Sequence, residues 1–164
     1  MSMIEDIKEW FNVTIQRGDA HAYLGQFIVN DFEGIPTSRI VAVRAFGSKS
    51  IVFFGNSNSR KVDFINSANG NSAMLFCSMV ARRQMCIQGK TFLDKNSKER
   101  EKHWLSHPME YRRSHLKIDK DAGLEVGDLA IVPDSYVAFV FVPRLVEFME
   151  FGSSYQHDIV RNSK

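Results

Sequence analysis

The chain has 164 residues, 44% of them hydrophobic, with thirteen Phe against four Pro and ten Gly, which supports one domain over residues 1–164 with a real core and excludes a disordered chain. Its 21 basic and 19 acidic residues, net charge +2, are spread along the whole length, so no basic stripe marks a nucleic-acid footprint. No apolar run approaches the ~20 residues that span a bilayer, and Met1–Trp10 carries Glu5, Asp6, Lys8 and Glu9 in place of an apolar leader, so a cytoplasmic protein without a membrane partner is expected.

Ile4, Ile7, Phe11 and Ile15 recur at helical spacing behind acidic residues, predicting an amphipathic helix of about four turns that ends near Gly18. From Tyr23 the pattern changes to short apolar or alternating runs, Leu24–Val29, Arg39–Phe46, Ile51–Phe54, Ala73–Val80 and Met85–Phe92, which predict strands. Turn-forming clusters separate them at Asp31-Phe32-Glu33-Gly34, Gly47-Ser48-Lys49-Ser50 and Asn56-Ser57-Asn58-Ser59. Cys77 and Cys86 fall inside two of the apolar runs without Cys-x-x-Cys spacing, which predicts buried thiols. Ser59 is the expected N-cap of a short helix through Arg60, Lys61, Val62, Asp63, Phe64 and Ile65. Cations in a first turn sit at the positive end of the helix dipole, so this dipeptide alone reads either as a solvated basic pair or as part of an anion site. A second helical region is expected from Ser97 to about Lys117, broken at His107-Pro108 because proline disfavours helix in its predecessor. Asp119–Gly127 is polar and turn-rich, and Leu129–Val132, Tyr136–Val142 and Leu145–Phe151 complete the strand-like runs. Helices among mostly antiparallel strand signals predict a barrel with packed helices, not a doubly wound sheet.

Three familiar motifs fail on context. Gly89-Lys90-Thr91 ends like a phosphate-binding loop, but position 84 is Gln where that loop needs Gly, and the segment reads as strand. The absence of Gly-x-Gly-x-x-Gly argues against a Rossmann site. His103 and His107 are four apart, yet Trp104, Leu105 and Ser106 supply no catalytic Glu and two ligands fall short of zinc's usual three, so no metal is expected.

The segment Pro36-Thr37-Ser38-Arg39-Ile40-Val41-Ala42-Val43-Arg44, followed by Ile51-Val52-Phe53-Phe54-Gly55-Asn56-Ser57-Asn58-Ser59-Arg60-Lys61, resembles the flavin-binding core of the pyridoxamine 5'-phosphate oxidase family. Arg83-Gln84-Met85 leading to Gly89-Lys90 is similar to that family's Arg-Gln-Val segment, and Val146-Glu147-Phe148 with His157-Asp158 resembles its C-terminal signature. The resemblance implies a mostly β fold with packed helices: a split β-barrel that binds flavin mononucleotide (FMN) at the subunit interface of a homodimer. It favours the anion-site reading of Arg60 and Lys61, which with Arg39 form the implied phosphate clamp, because a phosphate needs guanidinium and ammonium donors. Backbone from Ile40, Val41, Ala42 and Val43, together with Phe54, Gly55 and the Gln84 amide, would meet the flavin ring, with Met149 in place of a family Trp and Ile159 in place of an Arg.

The substrate positions depart from the family. Arg44 replaces its Lys, His103 its Tyr and His107 its Arg, Tyr111 lies near its Ser, and Tyr155-Gln156-His157 replaces Arg-x-His. The implied substrate contacts are Arg44, His103, His107, Tyr155 and His157, of which His157 and Arg44 are the catalytic candidates; the family's Gln-Ser flavin contact is read as deleted between Leu116 and Tyr136. The pattern predicts the same cofactor with another substrate: an FMN-dependent oxidase of a small amine or heterocycle, either a B6 vitamer phosphate or a phenazine-type reduced heterocycle. The alternative is a non-catalytic flavin- or other cofactor-binding protein of the same fold, a sensor or carrier, including a haem binder using His103, His107 or His157.

Overall fold

A computed structural model describes residues 2–152 and 156–161. Helix α1 (Met3–Gln16) starts at Ser2, whose hydroxyl accepts from the Glu5 N–H, and stops before Gly18, where φ is +98°. It buries Met3, Ile4, Ile7, Trp10, Phe11 and Thr14. Ile15, expected on that face, is exposed: the 100° step per residue centres the stripe on Trp10, Phe11 and Thr14, and Thr14 satisfies its hydroxyl on the Trp10 carbonyl at 2.6 Å.

An eight-stranded antiparallel sheet follows, made of β1 (Leu24–Asn30), β2 (Pro36–Ala42), β3 (Ala45–Phe46), β4 (Ile51–Asn56), β5 (Asn71–Ser78), β6 (Arg83–Asp94), β7 (Tyr136–Glu150) and β8 (Gln156–Arg161). The spatial order is β2-β1-β5-β6-β7-β4-β3, with β8 also on β7. The sheet curls until the Arg44 N–H, just past β2, donates to the Val52 carbonyl on β4 at 2.8 Å, which joins its two ends as a barrel-like wall. Inside lie Phe27, Phe53, Met74, Phe76, Met85, Ile87, Phe139 and Phe141; Phe53 stacks on Phe139 at 5.0 Å, and α1 covers one mouth through Phe11, edge-on to Phe76.

Between β4 and β5 runs α2 (Arg60–Ser67), and between β6 and β7 run α3 (Arg100–Ser106) and α4 (Met109–Asp121), broken at His107-Pro108 as expected. Trp104, Leu116 and Tyr136 form a second, smaller core that fastens α3 and α4 to the sheet. No described helix is long and apolar enough to cross a membrane.

Four expectations need correction. Leu129–Val132 forms no strand: Leu129 and Val132 pack on the Trp104 cluster, and the Leu129 carbonyl accepts from Trp104 Nε1 and Arg112 Nη1, both at 3.0 Å, so the run is apolar without a ladder. Tyr136–Val142 and Leu145–Phe151 are not separate strands but one, β7, which crosses Pro143-Arg144 by a register shift opposite Gln88/Gly89. The terminal β8, which pairs with the second half of β7, was not anticipated. Cys77 is exposed and Cys86 half-buried, because the period of two turns Phe76 and Ser78 inward and their neighbour outward.

Gly89 sits at the shift, and a Cβ there would overlap the Val142 carbonyl oxygen. Gly89→Ala should therefore lower stability by about 1–3 kcal/mol, read as a fall in the urea midpoint at unchanged m-value.

Candidate functional site

A cavity of about 350 Å³ opens between the ends of β2 and β4 and the face of α4. Strand β2 contributes Arg39, Ile40, Val41 and Ala42, strand β4 contributes Phe54, Gly55 and Asn56, and Arg44, Ser59 and Lys61 come from the adjoining turns and α2. From the helical side come Tyr111, Ser114, His115 and Ile118, on α4, and His107, which caps the end of α3.

Lys61 dominates one end. It is 9% exposed, its ammonium donates to Ser59 Oγ at 2.8 Å and lies 4.7 Å from the Phe139 ring, and among the described residues it has no carboxylate partner. Burial first, and then the neighbouring Arg39 guanidinium, pull its pKa down to about 8. Gly55 makes room for this head group: a Cβ there would lie 3.1 Å from Lys61 Nζ and 3.2 Å from Phe139. Ser59 does start α2, but its hydroxyl donates to the Asn56 carbonyl at 2.6 Å and receives the lysine, so it caps by backbone alone.

Of the expected phosphate clamp, Arg39 and Lys61 meet in the cavity while Arg60 does not line it; one residue earlier on α2, it is exposed with its guanidinium 5.2 Å from the Phe64 ring. Of the expected ring contacts, Ile40, Val41, Ala42, Phe54 and Gly55 line the cavity and Val43 is in the core.

The other end is aromatic and nearly uncharged. His107 Nε2 meets the Tyr136 hydroxyl at 2.9 Å and its ring stacks on Tyr111 at 4.0 Å; burial first and then Arg44 hold its pKa down at about 4. His103 lies on Phe54 at 4.5 Å in the adjoining cleft that Arg44 also lines, with its pKa lowered mainly by burial. Tyr111 and Tyr136 are held protonated, their pKa values raised by burial. The two histidines thus face different partners, and no three His, Cys, Asp or Glu side chains among the described residues are placed to share a metal ion.

Gln84, Met149 and His157 are brought together elsewhere. Register pairs Gln84 with Met149 and Met149 with His157, a row across β6, β7 and β8 that does not line the cavity; His157 Nε2 reaches Glu147 Oε2 at 3.3 Å. Tyr155 lies outside the described residues.

Asn56, His115, Asp119 and Ser135 were not foreseen. They form a buried hydrogen-bonded group behind the cavity, with Asp119 and His115 3% and 4% exposed. Burial first lowers the His115 pKa, which lies at about 4. The recurrence of Tyr111, His115 and Asp119 every four residues was the available signal, since it puts these three on one face of α4.

No family model matches the chain. Curated pyridoxine/pyridoxamine 5'-phosphate oxidases are similar to it: that of Paraburkholderia phytofirmans is 27% identical over 143 residues and that of Burkholderia mallei 28% over 144, each covering 78% of this chain and 66% of the relative. The chain therefore spans just under two thirds of the length of these relatives. Among solved structures, a pyridoxamine 5'-phosphate oxidase-related, FMN-binding protein from Nostoc punctiforme has a TM-score of 0.71 at 13% identity, covering 99% of both chains. PhzG from Burkholderia lata, in complex with tetrahydrophenazine-1-carboxylic acid, also scores 0.71, at 15% identity over 97% of this chain and 92% of its own. A haem-binding protein from Mycobacterium smegmatis scores 0.53 at 12% identity, covering 92% and 57%. These structures give the fold class, a mostly β FMN-binding-type split barrel with packed helices.

The two depressed imidazoles set an acid limit. His107 and His115 stay neutral in the fold down to about 4 but charge near 6.5 once unfolded, so the unfolded chain binds more protons between those values. From these two groups stability should be level between about pH 7 and 8 and fall as pH drops from about 6.5 to 4, with a shallower fall in His115→Asn, as urea midpoints across that range will show.

Proposed function

We propose, from a chain that is a divergent relative of the pyridoxine/pyridoxamine 5'-phosphate oxidases, that it is an FMN-dependent oxidoreductase acting on a small planar amine or heterocycle. Lys61 carries the reading. A nine-tenths buried ammonium beside a second cation, with no acid partner among the described residues and a cavity in front of it, is a site one anion short of neutrality. A phosphate monoester supplies that anion, and the apolar wall of Ile40, Val41, Ala42 and Phe54 suits a flat ring attached to it.

When bound, FMN would supply a two-electron acceptor that takes a hydride from the substrate and returns the electrons to dioxygen. The chain's own residues do the binding and positioning. Lys61 and Arg39 neutralise the phosphate, Gly55 leaves space for the Lys61 head group, and the backbone of Ile40–Ala42 borders the ring edge. Arg44 is the cation that lines the cavity at the substrate end, beside neutral His107 and Tyr111. That end suits a planar ring with at most one negative charge better than a phosphate dianion, which favours a reduced heterocycle over a B6 vitamer phosphate. The row of Gln84, Met149 and His157 would complete the site from a second copy of the chain, so the reading includes a homodimer with FMN between subunits.

The same lost phosphate contacts favour a second reading, a flavin carrier without turnover. Anaerobic addition of reduced heterocycles separates the two: bleaching of bound flavin indicates turnover, and an unchanged spectrum indicates a carrier.

Purified protein mixed with FMN and desalted should keep about one flavin per chain by visible absorbance. Lys61→Met should weaken FMN binding by about 10- to 100-fold, a lost charge-assisted contact, while Arg60→Ala should change it less than about threefold. A colourless protein after FMN addition overturns the proposal.

A further inference from the structure

The polar group behind the cavity has no part in holding a phosphate or a ring. Asp119 accepts at Oδ1 from Asn56 Nδ2 at 2.8 Å and Asn58 Nδ2 at 3.2 Å, and at Oδ2 from the Ser135 hydroxyl at 2.6 Å. A carboxylate only accepts and a hydroxyl has one proton to give. With that proton on Asp119, Ser135 Oγ is left to accept from His115 Nε2, 2.9 Å away. Asn56 does not compete for this position: its Oδ1 accepts from the Asn58 N–H at 2.7 Å, which fixes Nδ2 as the donor, and its two protons go to Asp119 Oδ1 at 2.8 Å and to the His115 carbonyl at 3.4 Å, so neither is needed at Nε2, 3.1 Å away. The ring proton of His115 is fixed on Nε2, and Nδ1 keeps its lone pair.

Every ring hydrogen bond of His115 among the described residues is at Nε2, and the residue lines the cavity. The other strong groups on that wall, Arg39, Lys61 and Arg44, are obligate donors. His115 is thus a preset acceptor in a donor-rich cavity. Its place is intermediate: it lies against Asn56, next to Gly55, and both Lys61 and His107 act on its charge. A linker joining a phosphate at Lys61 to a ring at Phe54 passes this point.

We propose that His115 Nδ1 accepts a hydrogen bond from a hydroxyl of the polyol chain between phosphate and ring, and that Asp119, Ser135 and Asn56 are positioning residues that fix its tautomer. The proposal rests on the FMN reading of the cavity, whose ribityl chain is such a polyol.

Three flavins test it by fluorescence titration: FMN, riboflavin, which has the polyol but no phosphate, and lumiflavin, which has neither. His115→Phe should bind FMN and riboflavin about tenfold more weakly and lumiflavin as the parent does, and His115→Gln, which restores an acceptor oxygen, should recover most of the loss. Equal affinity of the parent and His115→Phe for FMN overturns the proposal. A loss as large for lumiflavin as for riboflavin also overturns it, since the histidine would then only support the cavity wall. Independently of any flavin, long-range ¹H–¹⁵N spectra should show His115 protonated at Nε2 and bare at Nδ1, and a mixture of tautomers in Ser135→Ala; a parent protein protonated at Nδ1 ends the proposal. Failure of the parent to bind FMN while the tautomer is as stated refutes the flavin reading and the polyol contact with it, but not the positioning network.

Discussion

Backbone pairing along β7 sets the geometry of everything else. Its buried N–H and C=O groups must find partners, and they do so on both edges, with β6 along one side and with β4 and then β8 along the other. One strand cannot serve both β4 and β8 while staying flat, and the shift at Pro143-Arg144, allowed by Gly89 across the ladder, changes its direction between them. The first half fixes β4 in the register that sets Gly55 opposite Val137 and Asn56 opposite Tyr136, so the flat end of β4 faces the helices that Tyr136 anchors. Arg100 reinforces the junction by donating to the Tyr136 and Pro133 carbonyls. The cavity is the space left between these two fixed surfaces.

Its electrostatics follow from where the helices can reach. Toward α2 the wall carries Lys61 and Arg39, and burial first and then the Arg39 charge depress the Lys61 pKa. Toward the start of α4 imidazole and phenol are bonded to one another, and burial keeps both neutral. A ligand with a strongly charged head and a weakly charged, planar tail matches that gradient, and one with two dianionic ends does not.

Much of this was legible locally. Strand alternation, the turn clusters and the break at His107-Pro108 are short-range signals, and the sequence resemblance pointed to Arg39, Gly55 and Lys61 together. What was not legible depended on rotation or on distance. Arg60 and Lys61 are adjacent, and the 100° step between them sends one to solvent and the other into the cavity; only the packing of α2 through Phe64 and Ile65 decides which. Leu129–Val132 has the composition of a strand, but Trp104 offers it an apolar surface and no ladder. Asn56 and Asp119 are 63 residues apart, and nothing near either one announces their bond. The row of Gln84, Met149 and His157 follows from register, and register across a shifted strand cannot be counted from the sequence.

The contact at Gly55 makes charge and space in the cavity a single inherited trait. Because the lysine head group and the Phe139 ring close tightly on the space a side chain would take, a one-base change from glycine to alanine would force one of them to give by a few tenths of an ångström while leaving Lys61 intact in the gene. A survey of related chains that scored only the basic residue would count such a protein as competent. Glycine and lysine are therefore best read together as the marker of whether the ammonium keeps its place at the cavity wall.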